Sequence, residues 1–246
     1  MRTVVVTGAS SGIGLATARR FAAAGDHVVN LDVDKPVEPL PRIPWTEVDV
    51  ADWSAVAAAL EEVDRDRGGL DVVVANAGIS IRHGVLDITE AEARRVCEVN
   101  LLGVLGTWVA ATRIMARGEG RGVLLATASV NGLRGYPNYA DYNATKAGIA
   151  SLCKTFAMEL SPRIRTACVS PGAVMTPMQM AEYSDEMFAE TNASIPAGRH
   201  AAPEEIADAF FYLASKEASF LTGHELVVDG GETVGATTTR WGGAWT

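Results

Sequence analysis

Tyr142 and Lys146 stand four residues apart in the run Tyr142-Asn143-Ala144-Thr145-Lys146. That spacing puts both side chains on one face of a helix, which the surrounding pattern predicts from about 140 to 160. A phenol ordinarily titrates near pH 10, too high for a general base at neutral pH, but an adjacent ammonium stabilises the phenolate and draws the pKa toward working pH. The pair has the chemistry of a proton donor and acceptor, although an ordinary exposed helix pair shares the spacing. Ser129, 13 residues before Tyr142 and just past an apolar run at 122–128, offers a hydroxyl that can hydrogen-bond a reacting oxygen or cap a turn.

A second group of residues lies near the N-terminus. Thr7-Gly8-Ala9-Ser10-Ser11-Gly12-Ile13-Gly14 directly follows an apolar run and opens a helix-like stretch. Glycines at 8, 12 and 14 allow a tight turn and a close approach of pyrophosphate to the backbone, and the helix start supplies free N–H groups and partial positive charge. Many strand-to-helix turns need glycine for geometry alone, so the neighbours matter. Asp32 ends the next apolar run, 18 residues beyond Gly14, where a carboxylate accepts hydrogen bonds from both ribose hydroxyls of an adenosine. The same carboxylate repels a 2′-phosphate, and Val33 and Asp34 bring no arginine, so NAD is expected as the cofactor. Lys35 leaves some room for NADP, and a solvated turn aspartate is the plain alternative.

These residues need a frame. Short β-branched runs (4–7, 27–32, 71–75, 122–128, 164–170 and 225–229) alternate with Ala-rich stretches of helical character. The runs are continuously apolar rather than alternating, which means strands covered on both faces: a parallel sheet wrapped by helices, in a single doubly wound α/β domain over residues 1–236. Four prolines at 36, 39, 41 and 44 exclude an ordinary helix between the strand ending at Asp32 and one expected near Glu47–Val50. Residues 175–200, rich in Met and Glu with helix-like patches, are expected to form a lid over a pocket. Residues 237–246 form a tail in which Trp241 and Trp245 bracket two glycines.

Composition narrows the classes. The chain has 246 residues, 48% of them hydrophobic and 21% charged, a globular balance. With 21 basic against 30 acidic residues the net charge is −9. Such a surface repels phosphate backbones and anionic lipid, so neither nucleic acid nor membrane is expected as a partner. Cys97, Cys153 and Cys168 are odd in number and widely spaced, which suggests neither a disulfide framework nor a metal site. The opening MRTVVV is too short for a signal peptide, and a cytoplasmic protein acting on a small-molecule substrate is expected.

Taken together, TGASSGIG at 7–14, NAG at 76–78, Asn100, Ser129, YNATK at 142–146, PG at 171–172 and VDGG at 228–231 resemble the short-chain dehydrogenases/reductases in order and spacing. The resemblance runs from Thr3 to about Gly235 and implies a seven-stranded Rossmann-type sheet, a tetramer, and hydride transfer between a nicotinamide cofactor and a secondary alcohol or ketone. It implies that Tyr142 is the acid/base, that Lys146 lowers its pKa and holds the nicotinamide ribose, that Ser129 positions the substrate oxygen and that Asn100 anchors a relay water. It assigns Gly8, Ser10, Ser11, Gly12, Ile13, Gly14 and Asp32 to the cofactor, Asp49 and Val50 to the adenine pocket, Asn76, Ala77 and Gly78 to the adenosine side, and Pro171, Gly172, Val174 and Thr176 to the nicotinamide end. The proline loop, TEVDVAD at 46–52, SPGAVMTPMQ at 170–179 and VVDGGETVGA at 227–236 are also similar to the 2,3-dihydro-2,3-dihydroxybenzoate dehydrogenase branch, whose members oxidise ring diols with NAD.

Substrate candidates are Val130, Leu133, Arg134, Tyr139, Met175, Met178 and Tyr183, with Arg82, His83 and Met180 from the same neighbourhood. Arg82 or Arg134 could bind a carboxylate bidentately, although a solvated arginine is the more common arrangement. Two further readings stay open: a 3-oxoacyl-carrier-protein reductase using NADPH, against which Asp32 and the acidic charge count, and a non-catalytic dinucleotide sensor. A sensor has no need of the proton-transfer pair.

Overall fold

The structure is a computed structural model of the 246-residue chain and describes residues 1–38, 40–118 and 121–235. The tail at 237–246, with Trp241 and Trp245, lies outside the described residues.

Seven strands form one parallel sheet in the order β3-β2-β1-β4-β5-β6-β7. They are β1 (Thr3–Thr7), β2 (His27–Asp32), β3 (Trp45–Glu47), β4 (Val72–Ala75), β5 (Gly122–Thr127), β6 (Ile164–Pro171) and β7 (His224–Val228). Helices α1 (Gly12–Ala23) and α8 (Pro203–Leu213) lie together on one face. On the other face run α2 (Trp53–Arg67), α3 (Glu90–Cys97), α4 (Gly103–Met115) and α5 (Ala140–Leu160). The short helices α6 (Pro177–Glu182) and α7 (Asp185–Ser194) follow β6.

The continuous apolar strands explain the two layers. Successive side chains of a strand point to opposite faces. Val4 and Val6 accordingly belong to the core under α1 and α8, with Phe21, Ile206 and Phe210, while Val5 belongs to the core under α2, α4 and α5, with Leu60, Trp108 and Ile149. Trp108 is fully buried, donates its indole N–H to the Leu125 carbonyl at 3.1 Å and meets Phe156 edge-on. The polar end of the largest core side chain is thus satisfied, as burial requires.

One strand boundary differs from expectation. β3 occupies Trp45–Glu47, not Glu47–Val50, because it pairs Asn30, Leu31 and Asp32 of β2 with Trp45, Thr46 and Glu47, and β2 ends there. Beyond that point no strand remains to pair with, and the buried Val48 and Val50 turn inward. The described residues between β2 and β3 form no helix, as the prolines there require.

α3 and α4 are joined by a π-type turn at Glu98–Leu102, in which the Gly103 N–H reaches back to the Glu98 carbonyl. Asn100 sits inside this turn and is completely buried. No helix among the described residues is long and apolar enough to cross a membrane. No cluster of three or more His, Cys, Asp or Glu residues among them is placed to hold a metal ion. The three cysteines are free thiols.

Candidate active site

β1 has β2 on one side and β4 on the other, so the strand order reverses direction beside it. In open α/β sheets a crevice forms at the carboxyl ends of the strands at such a switch point. A cleft of about 280 Å³ lies there. Its walls come from the end of each strand in turn: Gly8 after β1, Leu31 and Asp32 of β2, Val48, Asp49 and Val50 after β3, Asn76, Ala77 and Gly78 after β4, and Thr127 of β5.

The glycine turn is shaped for close approach. Gly8 has φ of +67° and Gly12 of +52°, in the left-handed region that side chains disfavour. A Cβ on Gly14 would stand 2.0 Å from the Gly8 carbonyl oxygen and 2.5 Å from Asn76 Nδ2. Ser11, the residue before α1, makes no side-chain cap, so the first N–H groups of the helix keep their capacity for an anionic ligand. Ser11, Gly12 and Ile13 all line the cleft.

Ser10 takes an interior position. It is buried away from the cleft wall, its hydroxyl donating to the Asp34 carbonyl at 2.6 Å and accepting from Asn30 Nδ2 at 3.0 Å. Its backbone N–H donates to Asp32 Oδ2 at 2.9 Å, and the Asp34 N–H donates to Asp32 Oδ1 at 3.1 Å. These two bonds fix the carboxylate while leaving lone pairs on each oxygen for further donors.

Asn76 closes the floor. Its Nδ2 donates to the Thr7 and Gly8 carbonyls at 3.1 and 3.0 Å, and its Oδ1 accepts from the Thr127 hydroxyl at 2.9 Å, tying β1, β4 and β5 together at their carboxyl ends. Arg95 of α3 also lines the cleft, paired with Asp49 at 3.0 Å. No local signal in the sequence marks Arg95; the packing of α3 brings it there. Thr176 caps α6 by accepting from the Gln179 N–H at 3.3 Å, and Thr176, Pro177 and Met178 form the far wall. Gly14, Pro171, Gly172 and Val174 stand behind the wall: Pro171 pairs with Val228 in the sheet, Gly172 donates to the Val228 carbonyl, and Val174 bridges to Ala201.

Tyr142 and Lys146 both line the cleft, one turn apart on α5. The Lys146 ammonium is buried, donates to the Thr127 carbonyl at 2.8 Å and lies 5.3 Å from the centre of the Tyr142 ring. Burial pushes the Tyr142 phenol up to about 12, with the Ser129 hydroxyl pulling it down and the Glu182 carboxylate pushing it up. The expected fall of this pKa under Lys146 is therefore not found in this arrangement. Burial lowers Lys146 itself to about 8.

That shift has a consequence for stability. Between about pH 8 and 10.5, Lys146 is neutral when folded and still protonated when unfolded. The unfolded state then binds more protons, so stability from this group rises with pH across that window. Chemical denaturation at pH 7.5 and 9.5 should show the native protein gaining stability relative to Lys146→Met as pH increases. An unchanged difference would disprove the shift.

Ser129 accepts from the Asn131 N–H at 3.1 Å, capping a short 3₁₀ turn at Val130–Gly132, and also acts on the Tyr142 phenol. Asn131 Nδ2 donates to Asn143 Oδ1 at 2.7 Å, and Asn143 Nδ2 to the Tyr136 carbonyl at 2.9 Å, which braces the segment ahead of Tyr142. Asn100 commits its side chain to Ile79, accepting from its N–H at 2.8 Å and donating to its carbonyl at 2.9 Å.

The substrate candidates separate. Met178 faces the cleft, Val130 is buried, and Leu133, Met175 and Met180 are exposed. Tyr183 packs against Phe188 and His200 at ring distances of 5.5 and 6.4 Å. Arg134 is exposed and donates one hydrogen bond, to the Glu232 carbonyl, and His83 Nε2 pairs with Asp141 at 3.2 Å. Arg82 is exposed. Tyr139 lies beside Tyr142 with ring centres 6.1 Å apart and donates to Glu182 Oε2 at 2.7 Å.

The sequence profile of a family described as enoyl-(acyl carrier protein) reductase matches residues 8–233, nearly the whole described chain. The protein belongs to the short-chain dehydrogenases/reductases. The cis-4-hydroxycyclohexanecarboxylate dehydrogenase of Sinomonas cyclohexanicum is 40% identical over 242 residues, spanning 94% of this chain and 96% of that one. The 3beta-hydroxysteroid dehydrogenase 1 of Eggerthella lenta is 38% identical over 245 residues, 95% and 94% of the two chains. Ligand-free aldohexose dehydrogenase of Thermoplasma acidophilum superposes with a TM-score of 0.91 at 30% identity, covering 97% of this chain and 96% of that one. As a member of this family the protein is an oxidoreductase acting on the CH–OH group of a small-molecule secondary alcohol, and its redox partner is a nicotinamide dinucleotide.

Proposed function

We propose that this short-chain dehydrogenase/reductase interconverts a secondary alcohol and a ketone on a cyclic hydroxylated small molecule, using NAD. The single observation that carries the reading is the convergence of Tyr142, Lys146 and the glycine turn on one cleft. A dinucleotide fits the residues present: the turn has room for pyrophosphate, uncapped N–H groups face it, and a fixed carboxylate stands at the adenosine end. When bound, the nicotinamide ring supplies hydride acceptance and donation.

The chain's own residues supply orientation and the proton. In the oxidising direction the Tyr142 phenolate removes the alcohol proton, and in the reducing direction the phenol returns it to the ketone oxygen. Ser129 donates to that oxygen from the opposite side. Lys146, free to exchange its Thr127 carbonyl for ribose hydroxyls, holds the cofactor against Tyr142. Gly8, Ser11, Gly12 and Ile13 take the pyrophosphate; Asp49, Val50 and Asn76–Gly78 take the adenosine; Thr176 serves the nicotinamide end. Residues 1–236 act as one domain, with 175–200 covering the substrate side.

The ring alcohol draws support from the named substrates of the relatives, a hydroxycyclohexanecarboxylate and a hydroxysteroid. NAD rests on Asp32. Arg95 is the one cation at the adenosine end that sequence proximity did not reveal, and its pairing with Asp49 leaves it poorly placed to offset the repulsion of a 2′-phosphate by Asp32. Asp32→Ala should weaken NAD use by about tenfold in kcat/KM and raise NADP use, a loss of roughly 1.4 kcal/mol of discrimination. Steady-state kinetics with both cofactors on a panel of cyclohexanols, ring diols and sugars tests the proposal. Failure of every ring alcohol would refute the substrate class, and equal use of both cofactors by the native protein would refute the role of Asp32.

A further inference from the structure

α6 starts in the cleft wall at Pro177 and Met178 and ends at Glu182, whose carboxylate is gripped by the Tyr139 hydroxyl at 2.7 Å. Tyr139 precedes α5 directly, and its ring centre is 6.1 Å from that of Tyr142. The fold thus carries a carboxylate across from the far wall and fixes it one aromatic ring away from the proton-transferring phenol. Among the described residues no Lys, Arg or His forms an ion pair with Glu182. Arg134 is exposed and gives one hydrogen bond to the Glu232 carbonyl. The exposed Arg82 acts on Tyr139 but not on Tyr142, whereas the Glu182 charge reaches Tyr142 and raises its phenol.

One hydrogen bond from Tyr139 leaves most of the lone pairs of Glu182 available. A hydroxyl of a substrate that extends past Tyr142 toward Tyr139 can donate to them, whereas a substrate carboxylate at the same place meets like charge. We propose that Glu182, held by Tyr139, is a specificity-determining residue that favours neutral hydroxylated substrates over those carrying a carboxylate near the reacting ring. The inference rests on the reading that the alcohol oxygen sits at Tyr142. It divides the cyclic hydroxy compounds, which that reading leaves together, into an accepted neutral class and a disfavoured anionic one, and so sets this chain apart from the relative that acts on cis-4-hydroxycyclohexanecarboxylate.

The test compares the near-isosteric pair 4-hydroxycyclohexanecarboxamide and 4-hydroxycyclohexanecarboxylate as substrates. In parallel, the unreactive cyclohexanecarboxamide and cyclohexanecarboxylate are titrated into the NADH-bound protein, read by nicotinamide fluorescence. The native protein should favour the amide of each pair by about tenfold, the scale of one like-charge interaction. Glu182→Gln, which keeps an acceptor for Tyr139, should bring the ratio to within about twofold, chiefly through KM. Glu182→Ala serves the same end should the Gln variant fail to fold. A ratio unchanged by either substitution, a native preference for the carboxylate, or no binding of either ring overturns the proposal. If the unreactive pair is discriminated but neither alcohol is oxidised, the assignment of Glu182 survives and the ring-alcohol reading falls. If the alcohols are oxidised with a ratio that ignores Glu182, the reverse holds.

Discussion

Tyr142→Phe is expected to lower kcat by about 10³-fold, within the range lost when a positioned general acid or base is removed and equivalent to about 4 kcal/mol of barrier. Binding of the dinucleotide should stay within about twofold, because the ring that Lys146 covers is retained and only the hydroxyl is lost. Stopped-flow or steady-state turnover, paired with a binding titration, separates the two quantities. A variant that keeps more than a tenth of native turnover would remove Tyr142 from the mechanism. The pH profile carries a second signature. The free-enzyme phenol sits at about 12 under burial, so its phenolate is the minor form throughout the neutral range. In the oxidising direction kcat/KM should therefore rise with pH, and the Phe variant should lose that dependence.

Gly14→Ala is expected to be as damaging through a different route. Its new methyl would stand 2.0 Å from the Gly8 oxygen, 2.5 Å from Asn76 Nδ2 and 2.7 Å from the Gly8 carbonyl carbon. Two of the three contacts are backbone, in the turn that carries the cleft, and the third is an amide already bonded to Thr7 and Gly8. Nothing there can yield without moving β1 or the start of α1. The cost should reach about 3 kcal/mol of stability, the upper end for forcing a methyl into filled space, together with loss of dinucleotide binding. Gly135→Ala, where an added methyl meets nothing within 4 Å, should stay within about 0.5 kcal/mol. Denaturant titrations of the pair check this, and equal stabilities would refute the close-packed reading of the turn.

The frame of this protein was legible because its signals are local or strictly periodic. Runs such as Val4–Val5–Val6 are apolar on both faces, and both faces are buried. The i to i+4 spacing of Tyr142 and Lys146 survives into the helix because it depends on helical geometry alone. What escaped the sequence was set by contacts between distant segments. β3 shifted toward the N-terminus because β2 ended at Asp32, which no local pattern in 45–50 records. Ser10 turned into the interior because Asn30 and Asp34 were there to bond it. Arg95 reached the cleft, and Glu182 the Tyr139 hydroxyl, only through the placement of α3 and α6. The position of the Lys146 ammonium depends on a carbonyl at Thr127 contributed by another strand, and the upward direction of the Tyr142 shift on the burial that the assembled fold imposes.

The π-type turn at Glu98–Leu102 gives the α3–α4 helix a double allegiance. One residue more than α-helical winding requires rotates everything before it by about 100° relative to everything after it. The first half can then offer Arg95 and Val99 to the cleft while the second half presents Trp108, Ala111 and Met115 to the hydrophobic interior. A uniform helix with one stripe could serve only one of these surfaces. The phase break makes one continuous run of helix the common wall of cleft and core, so a change of packing on its core side is felt at the cleft.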